Sequence, residues 1–401
     1  MRNLEESLFW EILYRGQAVR SELARIFDVS AATISRSAGV LLAKQLVVET
    51  GAGKAVRGRR PALLQLNPEL AHVAGIEIDR DKITAVVTDL AGNLQGRGAM
   101  AASAASPVAK TLRDCRKALR IALSDAGRVG VSRIGVGLGG TLDVENGVCV
   151  EWEGVPHWRR VDLLEALKQT FQKDITLDDR ARAVALAHHL LSPDYRRHRS
   201  AIYVQIGTGI GAGIFVDGRM ARGATLAGGE IGHIVIDRNG PLCACGRRGC
   251  VEAFASLGAT MTRVRQGLAK GAKTTLGQFA KTPELLTVDL IVSAARQGDA
   301  LARTAVTEAG EALGIGIANA VQLLNPSLVV LAGKFANAAS DFFLEAVTRS
   351  VRDQCFETVS RRLEIRIAPF RKDAGPVGCA LLASLDLSRE LVQRSLFLPA
   401  D

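Results

Sequence analysis

GHIVIDRNGPLCACGRRGC, residues 232–250, is the stretch on which the reading of this chain turns. Within it lie one histidine and three cysteines, His233, Cys243, Cys245 and Cys250, and the chain runs on at once into Val251 and Glu252. One imidazole and three thiolates make a complete tetrahedral set for zinc. Gly246 and Gly249 supply the backbone freedom that four ligands on so short a chain require. Glu230 stands one helical turn before the histidine and Glu252 two residues after the last cysteine. A closed structural zinc site has no place for either carboxylate, so both are expected to do something else beside it.

The rest of the composition frames that loop. At 401 residues the chain is too long for one small core, which suggests two or three domains. A hydrophobic share of 48% with 40 glycines and few aromatics fits an α/β protein rich in Ala, Val and Leu. No apolar run reaches membrane-spanning length, and Met1–Trp10 carries acids where a secretory leader needs a basic start. The chain is therefore expected to stay in the cytoplasm, with no membrane partner. Seven cysteines is an odd count; Cys115, Cys149, Cys355 and Cys379 sit in apolar contexts and are expected to be buried thiols, not a disulfide framework. A formal charge of +10 permits a nucleic-acid partner without proving one.

That charge is concentrated. Between Arg15 and Leu66 nine basic residues (Arg15, Arg20, Arg25, Arg36, Lys44, Lys54, Arg57, Arg59, Arg60) face three acids (Glu22, Asp28, Glu49). SELARIFDVS reads as a short helix with Ser21 as its N-cap and Leu23, Ala24 and Phe27 at core spacing. Asp28-Val29 makes a turn, and Ser30 caps a second helix, AATISRSAGVLLAKQ. There Ile34, Val40, Leu41 and Leu42 are expected to face inward, while Ser30, Thr33, Ser35 and Arg36 stand near the N-terminus, where a recognition helix meets base edges. Gly39 costs that helix about 1 kcal/mol relative to Ala, a cost that a close helix crossing would explain. LVVETGAGKAVRGRRPALLQLN then reads as two strands around a basic tip, on which Arg57, Arg59 and Arg60 suit a minor groove or phosphates. Residues 1–70 are read as a winged helix-turn-helix that binds a double-stranded DNA operator.

After Asn67-Pro68 the pattern changes. HVAGIEI and KITAVVTDLAGNL look like paired strands, a helix follows from Pro107, and RIGVGLGG, DITLDD and AIYVQIG read as further strands separated by helices. Beyond the cysteine loop come helices near 251–270, 289–297 and 300–324, then the buried strand SLVVLAG, a helix, EIRIAPF and a final helix. Strands alternating with helices twice over describe two α/β lobes with a cleft.

From Val73 onward the chain resembles the ROK family of sugar kinases and sugar-responsive repressors, built on the actin-like, hexokinase-type ATPase fold. The likeness runs from about residue 71 to 385, and the segment ahead of it resembles the repressor branch. Its most specific piece is AGGEIGHIVIDRNGPLCACGRRGCVEAFAS, residues 227–256, whose ExGH and CxCGxxGCxE elements keep the family's spacing. The resemblance implies an N-terminal lobe over 71–190 and a C-terminal lobe over 191–401, with the last helix a candidate to pack back on the first. It implies zinc on His233, Cys243, Cys245 and Cys250, and sugar hydroxyls bound by Glu230, His233 and Glu252. Zinc would then set the pose of the imidazole and perform no hydrolysis. In the family's kinases the phosphoryl-transfer base lies in an Asn-Asp motif; here that motif is Asp178-Asp179, so Asp179 keeps the catalytic position while Asp178 departs from Asn. Both are placed on the sugar side, and an adjacent acid should raise the pKa of one of the pair. The glycine turn GLGGTLD adds Gly140, and with it Asp143, to that side.

The nucleotide side separates enzyme from switch. Gly207, Thr208, Gly209 and Gly211 match a phosphate-facing hairpin and Gly333 an adenosine-side loop, although GTGIG alone is a common tight turn. The first phosphate loop, usually DxGGT, corresponds to Glu77-Ile78-Asp79-Arg80-Asp81, where both glycines are lost. Carboxylates facing a polyphosphate repel it. The preferred reading is a transcriptional repressor of carbohydrate-utilisation genes, released from DNA when a sugar or phosphosugar binds. The alternative is a ROK-type, ATP-dependent sugar kinase with an appended DNA-binding arm. The family implies homodimers or homotetramers, and twofold symmetry a palindromic operator. Among smaller features, His188-His189 lack acids at metal spacing, His157 with Trp152 and Trp158 either lines a sugar cleft or packs as a loop, and Arg196-Arg197-His198-Arg199 reads as a solvated turn between lobes.

Overall fold

The computed structural model describes residues 4–52, 62–103, 105–152, 154–155, 157–369 and 371–397. Its first element is a helix that the sequence reading passed over, α1 (Leu4–Arg15), with Leu8, Phe9 and Ile12 buried along one face. β1 (Ala18–Val19), α2 (Arg20–Phe27), α3 (Ala31–Ala43), β2 (Val47–Ala52) and β3 (Ala62–Leu66) follow. The three strands form one antiparallel sheet in the order β1-β3-β2. α2 and α3 meet at 113°, within the range of helix-turn-helix pairs. Asp28 makes the turn with φ 52°, and Ser30 caps α3 by accepting from the Thr33 amide at 3.1 Å.

Three details differ from expectation. Ser21 is not a cap, because α2 begins one residue earlier and places it in the first turn. Val40 and Leu42 do not join the core: the buried stripe is Ile34, Ser37, Ala38 and Leu41, and Val40 is 37% exposed. Three consecutive positions cannot share one helix face, whereas 34, 37, 38 and 41 do. Gly39 faces no crossing helix; a Cβ built there meets nothing within 4 Å. Arg57, Arg59 and Arg60 fall at 53–61, outside the described residues.

Contacts divide the chain into two units, Met1–Arg197 with Asp373–Asp401, and His198–Lys372. The first continues with β4 (His72–Ile78), β5 (Lys82–Asp89), β6 (Leu94–Ala101), α4 (Val108–Asp125), β7 (Val131–Leu138), β8 (Thr141–Asp143), β9 (Val148–Glu151), β10 (Arg159–Asp162), α5 (Leu163–Phe171), β11 (Asp174–Asp179), α6 (Arg180–Leu191) and α7 (Pro193–Arg196). The second holds β12 (Ala201–Ile206), β13 (Ile210–Val216), β14 (Arg219–Met220), α8 (Val251–Ala255), α9 (Leu257–Ala269), α10 (Val288–Arg296), α11 (Ala300–Leu324), β15 (Leu328–Ala332), α12 (Lys334–Ala338), α13 (Ser340–Gln354), α14 (Glu357–Ser360) and β16 (Glu364–Ile367). The closing helix α15 (Ala374–Phe397) returns to the first unit, where it packs on α6, β4 and β7.

The two units share one sheet plan. Their strand orders are β11-β7-β4-β5-β6 and β16-β15-β12-β13-β14. In each, an antiparallel meander is extended by two strands running parallel to its first member. β6 escaped the sequence reading because its buried positions are Gly96 and Gly98, which leave no apolar alternation to see. Cys115, Cys149 and Cys379 are buried as expected, while Cys355 is half-buried. Among the described residues no single helix is long and apolar enough to cross a membrane.

α15 approaches its sheet closely enough that side chains are excluded. A Cβ on Gly75 would lie 1.9 Å from the Pro376 carbonyl oxygen, and one on Gly135 1.8 Å from that of Cys379. Opposite outcomes are therefore expected for two Gly→Ala changes followed by thermal denaturation. Gly39→Ala should stabilise by about 1 kcal/mol through helix propensity, whereas Gly75→Ala should cost about 1–3 kcal/mol or more through overpacking. Equal shifts would contradict the packing described.

Candidate functional site

The loop that carries the histidine and cysteines is pinned at both ends. His233 closes a one-turn 3-10 helix, Ile231–His233, and Cys250 stands at the N-terminus of α8. Between them isolated bridges pair Val235 with Cys250 and Leu242 with Arg248, and the Cys243 amide donates to the Arg247 carbonyl at 2.7 Å. Gly249 has φ +75°, and any Cβ there would lie 1.5 Å from the Asp237 carbonyl oxygen, so glycine is required.

The result is a four-residue cluster. One ligand atom from each of His233, Cys243, Cys245 and Cys250 lies within 4.8 Å of every other. Cys243 Sγ is 3.7 Å from His233 Nδ1, and Cys245 Sγ is 3.7 Å from Cys250 Sγ. Tetrahedral zinc with bonds of about 2.0–2.3 Å sets its ligand atoms about 3.5–3.8 Å apart. The cluster can therefore hold a metal ion with little adjustment. Burial pushes the Cys243 thiol up to about 12. Burial also opposes the Cys245 thiolate, yet hydrogen bonds from the Arg247 backbone and side chain bring it down to about 6. A group that ionises this readily is a ready first ligand for a cation.

Glu252 ties this cluster to the glycine hairpin. From the first turn of α8 its Oε2 accepts from the Ile210 amide at 2.8 Å, while Oε1 lies 3.8 Å from Cys243 Sγ. A Cβ on Gly209 would meet Oε2 at 2.9 Å, so Gly207–Gly211 curls against this carboxylate. Within the hairpin the Gly207 amide donates to the Gly209 carbonyl at 3.0 Å. The 3-10 turn packs on β13 and α8, which places Glu230 on the same assembly, with its side chain exposed. Glu230, His233, Glu252 and the 207–211 turn are thus brought together in the second unit. Gly333, φ +120°, stands at the start of α12, and a Cβ there would lie 2.2 Å from the Ile206 carbonyl oxygen.

The first unit gathers a different set. Asp179 caps α6, accepting from the Ala181 and Arg182 amides at 2.7 and 3.3 Å. Burial raises its pKa, against the pull of Arg182. Asp178, expected on the sugar side, has no exposed surface. Its Oδ1 accepts from Arg182 Nε at 2.6 Å and from the Asp179 amide at 2.7 Å, so it braces Asp179. Arg182 was missed by sequence reasoning, although an arginine four residues after an aspartate at a helix start is a legible pair.

Residues 77–81, matched by resemblance to the first phosphate loop, are bonded within the chain. Arg180 bonds Asp79 and lies 3.9 Å from Glu77. Burial raises the Glu77 pKa, and its carboxylate crowds Gly375 near the start of α15, where a Cβ would meet it at 2.3 Å. Nothing in the sequence reading had singled out Arg180.

Several of the other candidates, Trp152, Trp158, His188 and His189, are buried. Gly140 has φ +107° and backs onto Glu151 and Trp152, while exposed Asp143 accepts from the Asn146 amide and side chain. Trp152 and Trp158 are buried against each other, ring centroids 5.3 Å apart, and offer no open face to a sugar. His188 and His189 are buried within α6. His198 is buried rather than solvated. In the N-terminal segment Ser30 Oγ lies 2.8 Å from Thr33 Oγ1, and Ser35 and Arg36 are exposed on α3.

Comparison with known proteins agrees with this layout. The xylose repressor of Caldicellulosiruptor bescii is 28% identical over 370 residues, 92% of each chain. A crystal structure of a ROK family transcriptional regulator, described as a homologue of the E. coli MLC protein, superposes with a TM-score of 0.74 at 25% identity, covering 94% of each chain. The ROK hexokinase of Thermus thermophilus superposes with a TM-score of 0.67 at 28% identity, covering 79% of this chain and 99% of its own. The regulators are thus matched over 92% and 94% of this chain, whereas the kinase covers 79% of it. The α/β fold is accordingly the actin-like, hexokinase-type one. With residues 73–385 matching the family profile described as ROK, more than half its length, the chain belongs to the ROK family.

Proposed function

We propose that this protein is a sugar-responsive transcriptional regulator, a repressor of carbohydrate-utilisation genes whose DNA affinity falls when a sugar or phosphosugar binds. The observation that carries the reading is the use made of the nucleotide side. The Ile210 amide in the glycine hairpin is taken by Glu252. At the other phosphate loop Arg180 neutralises Asp79 beside Glu77. A polyphosphate would have to displace an internal carboxylate at the first and compete with acids at the second.

Zinc is the metal that the donor set suits, with three thiolates and one imidazole. His233, Cys243, Cys245 and Cys250 would hold it, and its charge would fix the imidazole so that the second ring nitrogen faces a ligand. Glu230 and Glu252 offer acceptors for sugar hydroxyls, since ionised carboxylates only accept. Asp179 is a further acceptor, its position set by the cap it makes and by Asp178. Ser30, Thr33, Ser35 and Arg36 are assigned to the major groove, and Arg57, Arg59 and Arg60 to phosphates or the minor groove. A homodimer or homotetramer reading a palindromic duplex follows from the usual symmetry of such readers. Sugar and DNA then oppose each other by the same factor, whichever binds first.

Two outcomes test the reading. In a thermal-shift screen of monosaccharides and their phosphates, at least one compound should raise the melting temperature of the full chain and also release a duplex selected from a random-sequence pool. Glu230→Ala and Glu252→Ala should abolish that shift; a response untouched by both changes would defeat the ligand assignment. In a coupled ADP-release assay with the same panel and ATP, no turnover is expected. Turnover abolished by Asp179→Asn would establish the kinase instead.

A further inference from the structure

The chain passes between its two units at Arg197–His198 and again at Lys372–Asp373. The residues flanking the first crossing are held on each side. On the second-unit side His198 is buried, its Nδ1 2.9 Å from Ser327 Oγ and its Nε2 4.0 Å from Glu364 Oε1. Ser327 and Glu364 stand just before and at the start of the parallel strands β15 and β16, so the entry to β12 is fixed to the sheet.

On the first-unit side Arg196 reaches the DNA-binding segment. A Cβ built on Gly16 would lie 1.6 Å from Arg196 Nη1 and 2.6 Å from its Cζ, so the guanidinium lies where a side chain at 16 would be. Gly16 follows the last residue of α1, has φ +73°, and donates its amide to the Leu13 carbonyl. A cation there faces the carbonyl-rich, partially negative end of the helix. α1 touches both α7, which carries Arg196, and α15, which begins just after the second crossing. At its other end α1 holds the recognition helix, since buried Ser37 of α3 donates to Glu5 Oε1 at 2.7 Å.

We propose that Arg196 is a positioning residue that couples the second unit to the DNA-reading helix, through Gly16 and α1. The continuous path runs from Ser327 and His198 to Arg196, along α1, and across Glu5 and Ser37 to α3. Arg196 differs from the first unit's braced arginines in having no anchor of its own. Among the described residues it forms no ion pair, and its buried Nε has no hydrogen-bond partner. Arg182, by contrast, is locked to Asp178 at 2.6 Å. A cation held by packing and a helix dipole is readily displaced, as a contact that must be remade between two states requires. Contiguity alone does not establish coupling, so the test must read transmission, not stability.

This inference rests on the DNA-binding reading above, and reciprocity lets it be tested without knowing the sugar. Hydrogen–deuterium exchange is measured on the full chain with and without a duplex selected from a random-sequence pool. In the wild type, bound duplex should change exchange across residues 198–206. Arg196→Ala should keep duplex affinity within roughly three-fold yet cut the change at 198–206 at least about five-fold, the scale of an allosteric coupling. Arg196→Lys, which keeps the charge, should restore part of it, and Arg196→Gln serves as the second variant should alanine lower the melting temperature. Transmission by Arg196→Ala or Arg196→Gln equal to the wild type overturns the proposal, as does a wild-type duplex complex whose 198–206 exchange is unchanged. Failure to select any duplex overturns the functional reading and this inference with it.

Discussion

A metal-sized gathering of one imidazole and three sulfurs, within 4.8 Å of one another, is the constraint on which the second unit's site depends. Unmetallated, three thiols and an imidazole on a glycine loop have little reason to converge, because their mutual attraction is weak. With a cation they become the strongest local bonds in the unit, and the backbone bridges at Val235–Cys250 and Leu242–Arg248 need only hold the loop in register. His233 and Cys243 are fixed in turn, and Cys243 is the sulfur that Glu252 approaches. The position of the carboxylate is thus tied to that of the His/Cys cluster.

In the proposed function Glu252 has a second part, on the side of the glycine hairpin. Phosphate loops work by presenting backbone amides that nothing else occupies. Here one such amide, that of Ile210, is committed to an internal carboxylate, and Arg180 sits between the acids of the other loop. Both arrangements satisfy polar groups within the chain.

Much of this was legible in the sequence because the decisive residues lie close together. The four-residue His/Cys cluster spans residues 233–250, and its spacing in the sequence pointed both to the residues that converge and to the loop that presents them. Ser30 as a cap and Asp28 as a turn were equally local. The misreadings share a cause, which is that tertiary partners decide them. Val40 reads as core until the register with α1 selects Ser37 instead, a polar residue admitted because Glu5 accepts its hydrogen bond. β6 was invisible because α4 packs on it so closely that its inward positions are glycine. Arg180 and Arg182 looked like ordinary basic residues of a helix start, yet they neutralise Asp79 and Asp178, one of them over a separation of 101 residues. The duplicated sheet plan was visible only as a rhythm of strands and helices, since register and strand order depend on distant pairings.

The account stands or falls on whether metal ligation and carbohydrate recognition are one structure. The direct measurement is calorimetric titration of the full chain with the carbohydrate that binds it, before and after the metal is stripped under reducing conditions and then restored with zinc. The account predicts about one zinc per chain, loss of carbohydrate binding on stripping, and recovery on restoration. Undiminished carbohydrate binding by the metal-free, folded protein would contradict it.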